Sequence, residues 1–242
     1  MEFIVAKDYD EMSRLAADKI AACLKAKPTC VLGLATGSTP IGLYAQLVRD
    51  FEAGEISFAD AATFNLDEYR GLSPEHDQSY RYFMEQNLFG KVDVEPSRTH
   101  VPDGANPDHE AACAAYEQAI AQVGGIDLQL LGLGHNGHIG FNEPADDFPV
   151  DTHLVGLTES TIQANSRLFD SIDDVPREAY TMGIGTIMKA RSILVVASGA
   201  DKADIVKRAF FGPVTPQVPA SVLQLHPDVT VIVDAEAGAQ CA

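Results

Sequence analysis

Three short segments of this chain gather the residue types that proton transfer needs. The stretch "LGLGHNGHIGFNEP", residues 131–144, holds four glycines together with His135, Asn136, His138 and Glu143, directly after an apolar run. An imidazole with a carboxylate and an amide within reach has its tautomer and basicity set, as general acid–base catalysis requires. The same residues also allow a metal reading, since His135, His138 and Glu143 spell H-x-x-H-x4-E. That is not the helical H-E-x-x-H spacing, and Gly137 and Gly140 oppose a helix holding both histidines on one face. A flexible turn is the third reading. Spacing alone ranks a catalytic loop first, a turn second and a metal site last.

The second segment, "FNLDEYRGL" (64–72), sets Asp67 and Glu68 just past a strand-like run, beside Tyr69. A carboxylate there serves as a general base, a metal ligand or a helix cap. Tyr69 either lines a pocket or packs. The third segment is "LATGSTP" (34–40), in which Ala35, Thr36, Gly37, Ser38 and Thr39 precede Pro40, a favourable first residue of a helix. Backbone N–H groups and a helix N-terminus converging there would bind an anion. An ordinary strand-to-helix turn is the equal alternative. The loop is neither a Walker motif nor G-x-G-x-x-G, so no nucleotide is implied.

These segments need a frame. Apolar runs at 3–6, 30–35, 61–66, 126–134, 179–185, 192–198 and 229–235 read as strands. Helical patterns alternate with them. Asp8 with Glu11 three residues on makes a capping box, and Met12, Leu15, Ala16, Ile20 and Cys23 form the apolar stripe of the helix that follows. Further helices are expected after Pro40, across "QSYRYFMEQNLF" and across "PDHEAACAAYEQAIAQV". The strands are continuously apolar rather than alternating, as in a parallel sheet covered on both faces. The expected fold is therefore α/β: a doubly wound, mostly parallel open sheet flanked by helices, Rossmann-like. With no linker, low-complexity segment or repeat, residues 1–242 are expected to form a single domain. Such sheets bind ligands beyond the carboxyl ends of their strands, where all three segments fall.

Composition narrows the partners. Seventeen basic residues against thirty-five acidic give a net charge of −18, which argues against nucleic acid. An anionic ligand would need local donors and cations to overcome that field. No stretch approaches the ~20 apolar residues of a membrane span. The acidic start "MEFIVAKDYDE" lacks the features of a signal peptide, so a cytoplasmic protein is expected. Cys23, Cys30, Cys113 and Cys241 form no C-x-x-C pair and read as packed or incidental thiols. His76, His109, His153 and His226 read as solvated or structural.

With these segments in hand, the chain resembles the glucosamine-6-phosphate deaminase/isomerase family. "GLATGSTP", "NLDEYRGL" with "SYRYFM", "LGLGHNGHIGFNEP", "ANSRLFD", "MGIGTIMKA" and "LQLHPDVTVIVD" follow the family's order across nearly the whole length. The pair "LDEY" and "GHIGFNEP" is the specific part. The resemblance implies conversion of glucosamine 6-phosphate and water to fructose 6-phosphate and ammonia, in amino-sugar (N-acetylglucosamine) catabolism. It implies Asp67 as the base moving a proton between C2 and C1. His138 would open the sugar ring, supported by Glu143 and Asn136. Residues 35–39, Arg167 and Lys202 would hold the phosphate. It implies no metal and no organic cofactor, and it is compatible with a homo-oligomer. Some members carry Asp at the position of Asn136; a neutral amide still orients His138 but forms no charged relay. The acidic stretch "ADDFPVDTHLVGL" lacks the basic residues with which larger members bind an allosteric sugar phosphate, so none is expected here. Two rival readings are a related sugar-phosphate lactonase or isomerase and a sugar-phosphate sensor. Sensors usually follow a basic DNA-binding segment, and none precedes the first strand.

Overall fold

Parallel pairing dominates the computed structural model, which describes residues 1–159, 162–163, 169 and 171–241. Seven strands form the main sheet: β1 (Glu2–Val5), β2 (Val31–Leu34), β3 (Ala62–Asn65), β5 (Thr99–His100), β6 (Leu128–Leu131), β9 (Ser192–Ala197) and β10 (Val229–Val233). Their order is β1-β10-β9-β6-β2-β3-β5, and every neighbouring pair is parallel. All residues of β2, β6 and β10 are buried, which explains their unbroken apolar runs.

Helices α1 (Tyr9–Ala26) and α2 (Ile41–Glu52) pack on each other and lead from β1 to β2 and from β2 to β3. The connections through α4 (His109–Gln122) and α6 (Ala203–Phe211) run in the opposite direction across the sheet. Right-handed crossovers then place these two helices on the other face. The expected doubly wound architecture is the observed one. Direction reverses between neighbours β2 and β6, and the crevice beyond their carboxyl ends is where such folds take ligands.

Local rules account for the ends of these elements. Asp8 caps α1, its Oδ1 accepting from the Glu11 N–H at 2.9 Å, while the Glu11 carboxylate accepts from the N–H of Lys7 rather than of Asp8. Met12, Ala16 and Ile20 are buried as the helical spacing requires; Leu15 and Cys23 pack at the margin. Pro40 is the cap of α2 rather than its first residue.

One departure from the expected sheet shapes the site. A second, antiparallel sheet of order β4-β8-β7 is made of β4 (Asp67–Tyr69), β8 (Glu178–Thr181) and β7 (His153–Gly156). The apolar run at 179–185 therefore splits into β8 and the short helix α5 (Ile184–Met188), with Gly183 as its cap. The run at 61–66 likewise leads straight into β4, with only Leu66 between β3 and β4.

Phe64 anchors the strand that ends in this transfer. It is fully buried, stacked on His100 at 4.3 Å between ring centres and edge-on to Tyr116 of α4 at 5.7 Å. Phe64→Ala removes that packing and leaves a cavity, so urea unfolding should report a loss of about 3–5 kcal/mol. A loss below about 1 kcal/mol would mean that the site rests on some other part of the core.

Candidate active site

The crevice between β2 and β6 holds a cavity of about 260 Å³ lined by residues 35–40, by Asp67 and Tyr80, by His135 and His138 and by Lys202. Each element delivers its part at a carboxyl end. The loop after β2 supplies 35–40, the passage from β3 to β4 supplies Asp67, the loop after β6 supplies the histidines, and the turn after β9 supplies Lys202.

Asp67 is 7 % exposed, and among the described residues its carboxylate accepts no hydrogen bond. Burial, with the neighbouring Glu68 charge as a smaller cause, pushes its carboxyl up to about 8. A poorly solvated carboxylate of this kind is a strong base once ionised. Its Oδ2 lies 3.6 Å from where a Cβ would stand on Gly140, and Gly140 has φ of +57°, so the histidine loop turns close beside the carboxylate at a residue without a side chain.

His138 comes from that loop. Its Nδ1 lies 3.2 Å from Glu143 Oε1, which leaves Nε2 as the other ring nitrogen at the cavity. Asn136 ties the arrangement from behind: its Oδ1 accepts from the His138 N–H at 3.1 Å and its Nδ2 donates to Glu143 Oε2 at 2.5 Å. The amide thus reaches both partners, with its donor aimed at the carboxylate; an aspartate there would set two carboxylates against each other. Gly134 makes room for the ring, because a Cβ on it would lie 2.2 Å from His138 Nε2.

His135 takes a different partner, its Nε2 lying 2.5 Å from Asp201 Oδ2. The H-x-x-H-x4-E spacing therefore does not converge. Among the described residues no group of three His, Cys, Asp or Glu is arranged to hold a metal.

Thr36, Gly37, Ser38 and Thr39 also line the cavity, ahead of the N-terminus of the twelve-residue α2. Lys202 is the only lysine or arginine lining the cavity among the described residues. Its Nζ donates to the Leu133 carbonyl at 2.9 Å, and burial holds its ammonium below the usual lysine range, with Asp201 opposing. Loop, helix end and cation together suit an anion. Arg167 lies outside the described residues.

Three contributors went unnoticed in the sequence. Tyr80, the first residue of α3 (Tyr80–Asn87), lines the cavity, whereas Tyr69 sits behind it, 4.7 Å away between ring centres. Its place after the capping Ser79, in a predicted helix, was the available signal. Asp234 accepts from the N–H groups of Gly199 and Ala237 and so holds the turn that carries Lys202; like Asp67, it is an acid directly after an apolar strand. Thr181 accepts from the Phe141 N–H at 3.0 Å and stands opposite Asp67 across β4 and β8. A larger cleft of about 730 Å³, lined by Glu68, Arg81 and His100 among others, contains neither Asp67 nor His138. His226 is structural, its two ring nitrogens lying near the carbonyls of Asp228 and Ala190.

Comparison with known proteins identifies relatives of the chain. A family model described as glucosamine-6-phosphate isomerases/6-phosphogluconolactonase matches residues 7–232. A glucosamine-6-phosphate deaminase of Clostridium perfringens (strain 13 / Type A) is 55 % identical over 237 residues, covering 98 % of each chain. The solved structure of a monomeric glucosamine-6-phosphate deaminase superposes with a TM-score of 0.96 at 47 % identity, covering 99 % of this chain and 100 % of that one. A 6-phosphogluconolactonase from Trypanosoma brucei shares the fold at a TM-score of 0.81 and 21 % identity, over 100 % of this chain and 98 % of that one.

The protonation of Asp67 has a consequence for stability. Its folded-state pKa of about 8 lies above the ordinary 3.8, so between those values the folded protein holds more protons than the unfolded chain. Stability therefore falls as pH rises through that window. Asp67→Asn cannot ionise. It should be more stable than wild type by on the order of 5 kcal/mol at about pH 8.5, with the gap closing towards about pH 4. Thermal unfolding across that range measures it; a gap independent of pH would show that Asp67 titrates as an ordinary carboxyl.

Proposed function

The chain belongs to the glucosamine-6-phosphate isomerase/6-phosphogluconolactonase family, and from that membership and its cleft we infer that it converts glucosamine 6-phosphate and water to fructose 6-phosphate and ammonia. One observation carries the reading. A buried carboxylate that accepts no hydrogen bond among the described residues shares a cavity with His138, itself 3.2 Å from Glu143, and with residues 35–39 and Lys202. The reaction needs those three parts and no others.

The phosphate sits against residues 35–39 and Lys202, and the family resemblance adds Arg167 as a further cation for it. His138 moves the proton between the ring oxygen and the anomeric hydroxyl, opening the pyranose to the aldehyde. Glu143 holds the imidazole by Nδ1 and stabilises its protonated form, and Asn136 fixes both. Asp67 then takes the C2 proton, aided by the electron-withdrawing C1 aldehyde. The resulting enediol-like intermediate, conjugated with the C2 amine, is reprotonated at C1 by the same carboxyl. With a proton passing from the C2 amine to the C1 oxygen over these steps, this leaves an imine at C2 and a hydroxyl at C1. Water adds at C2, ammonia leaves, and fructose 6-phosphate remains. A carboxylate suits the middle steps because one oxygen pair can collect a proton from one carbon and return it to its neighbour.

We propose that residues 1–242 form a single glucosamine-6-phosphate deaminase/isomerase domain. The setting proposed is the cytoplasm, where phosphorylated sugars are retained by their charge. Among the described residues no helix is long and apolar enough to cross a membrane.

The decisive assay follows ammonia and fructose 6-phosphate released from glucosamine 6-phosphate, with a chelator present throughout. Wild type should form both products in equal amounts, unaffected by the chelator. Asp67→Asn should lose at least ~10³-fold in kcat. Because the free enzyme's base must be ionised, kcat/KM should rise with pH through the Asp67 value of about 8. Turnover of a sugar-phosphate lactone, retained by Asp67→Asn, would instead indicate a lactonase. Gly134→Ala, whose new methyl displaces the His138 ring, should lower kcat about 10²-fold while the protein stays folded; an unchanged kcat would remove His138 from the mechanism.

A further inference from the structure

Asp67 and Glu68 are consecutive in β4, so their side chains leave the strand on opposite faces. Asp67 faces the cavity. Glu68, 3 % exposed, points the other way, to the start of α3. Its Oε1 accepts from the N–H groups of Tyr69 at 2.8 Å and Tyr80 at 2.9 Å, and its Oε2 accepts from the N–H of Arg81 at 2.9 Å. Tyr80 and Arg81 open α3, where N–H groups have no partner within the helix. Ser79 Oγ takes the N–H of Tyr82 at 3.0 Å. The first turn of α3 is thus held to β4 by a carboxylate.

What this clamp holds in place is the wall of the cavity. The Tyr80 ring stacks on Phe141 with an interplanar angle of 10° and rests on Tyr69. Phe141 belongs to the loop that carries His138 and Glu143. The chain of contact therefore runs from the strand of the base, through Glu68 and Tyr80, to the loop of the ring-opening histidine.

We propose that Glu68 is a positioning residue of the reaction, fixing the first turn of α3 so that Tyr80 closes the cavity between Asp67 and the His138 loop; the inference rests on the deaminase reading. Its charge has a second effect. The groups that face Asp67 are Glu68 and Tyr69 of β4, Tyr44 of α2, Tyr80 of α3 and Tyr116 of α4, with His138 and Lys202 across the cavity. Burial keeps all four tyrosines protonated, so Glu68 is the one anion beside Asp67 in this set. Removing it makes Asp67 easier to ionise.

Glu68→Gln and Glu68→Asp separate the two effects. Gln has the length but no charge, and its Nε2 must meet an N–H donor. Asp has the charge but not the reach. The measurements are kcat and KM for glucosamine 6-phosphate against pH, and hydrogen exchange at the Tyr80 and Arg81 amides in the folded proteins. Both variants should exchange at those amides at least ~10-fold faster. Both should lose ~10–100-fold in kcat, with KM changed less than threefold because the phosphate loop is untouched. The acidic limb should move to lower pH in Glu68→Gln alone. Glu68→Asp keeps the measurement available if Glu68→Gln fails to fold. Variants that lose only thermal stability, with wild-type exchange, kcat and pH limb, would overturn the proposal. An inactive wild type would defeat the deaminase reading instead, and amide exchange would then decide the clamp: fast in Glu68→Asp supports it, unchanged overturns it.

Discussion

Leu66 is the residue through which the backbone passes from one sheet to the other, and the site depends on that transfer. Its N–H donates to the Leu34 carbonyl at 3.0 Å, extending the pairing of β3 with β2. Its carbonyl accepts from the Met182 N–H at 2.8 Å, which starts the pairing of β4 with β8. The strand cannot end in solvent, because both backbone groups are committed. Asp67, the next residue, is therefore delivered to the carboxyl edge of the parallel sheet with no freedom to swing outward. An aspartate on an ordinary loop would be hydrated and would titrate near its usual value. Here the backbone imposes the burial, and the burial raises the Asp67 carboxyl.

That arrangement sets the electrostatics of the rest. The chain carries a net charge of −18, yet its cavity must accept an anion next to a carboxylate. Residues 36–39, the start of α2 and Lys202 line the same cavity as Asp67 and offer it donors and a positive charge. Placing the anion site at the switch between β2 and β6 uses a helix N-terminus that the fold provides anyway. Lys202 is kept in place by the Leu133 carbonyl, and its turn by Asp234, so the local positive charge is fixed rather than recruited from a flexible surface.

Local chemistry was legible in the sequence where it was local. Asp8 as a cap, the buried runs of β2, β9 and β10, and the three polar segments after strands follow from neighbours a few residues apart. The second sheet was not legible. β4 is three residues long and continues an apolar run, so no periodicity marks where β3 stops. β8 reads as one strand with the helix that follows until Gly183 is seen to start α5. Glu68, Tyr80 and Asp234 act through backbone groups or rings brought together by the fold. The opposite placement of Asp67 and Glu68 would have followed from strand alternation, had β4 been recognised as a strand. Tyr69 adjoins the acids in sequence, but the ring that lines the cavity is Tyr80, eleven residues further on and adjacent in space.

The relative at 21 % identity keeps the same fold, and that fact limits what architecture explains. The crossover pattern and the switch point provide a crevice and an anion-binding helix end to any sequence that folds this way. They do not provide a base for a C–H bond. That requires a carboxylate which is stripped of water yet left without donors, an arrangement that lowers stability whenever the group ionises. The same strand shows the contrast within two residues. Glu68 is buried too, but three backbone N–H groups satisfy it, and its charge is used to hold structure. Asp67 receives none among the described residues, and its carboxyl is pushed up to about 8. Distributing hydrogen-bond donors unequally between two adjacent buried acids is how this chain makes one of them a scaffold and leaves the other reactive.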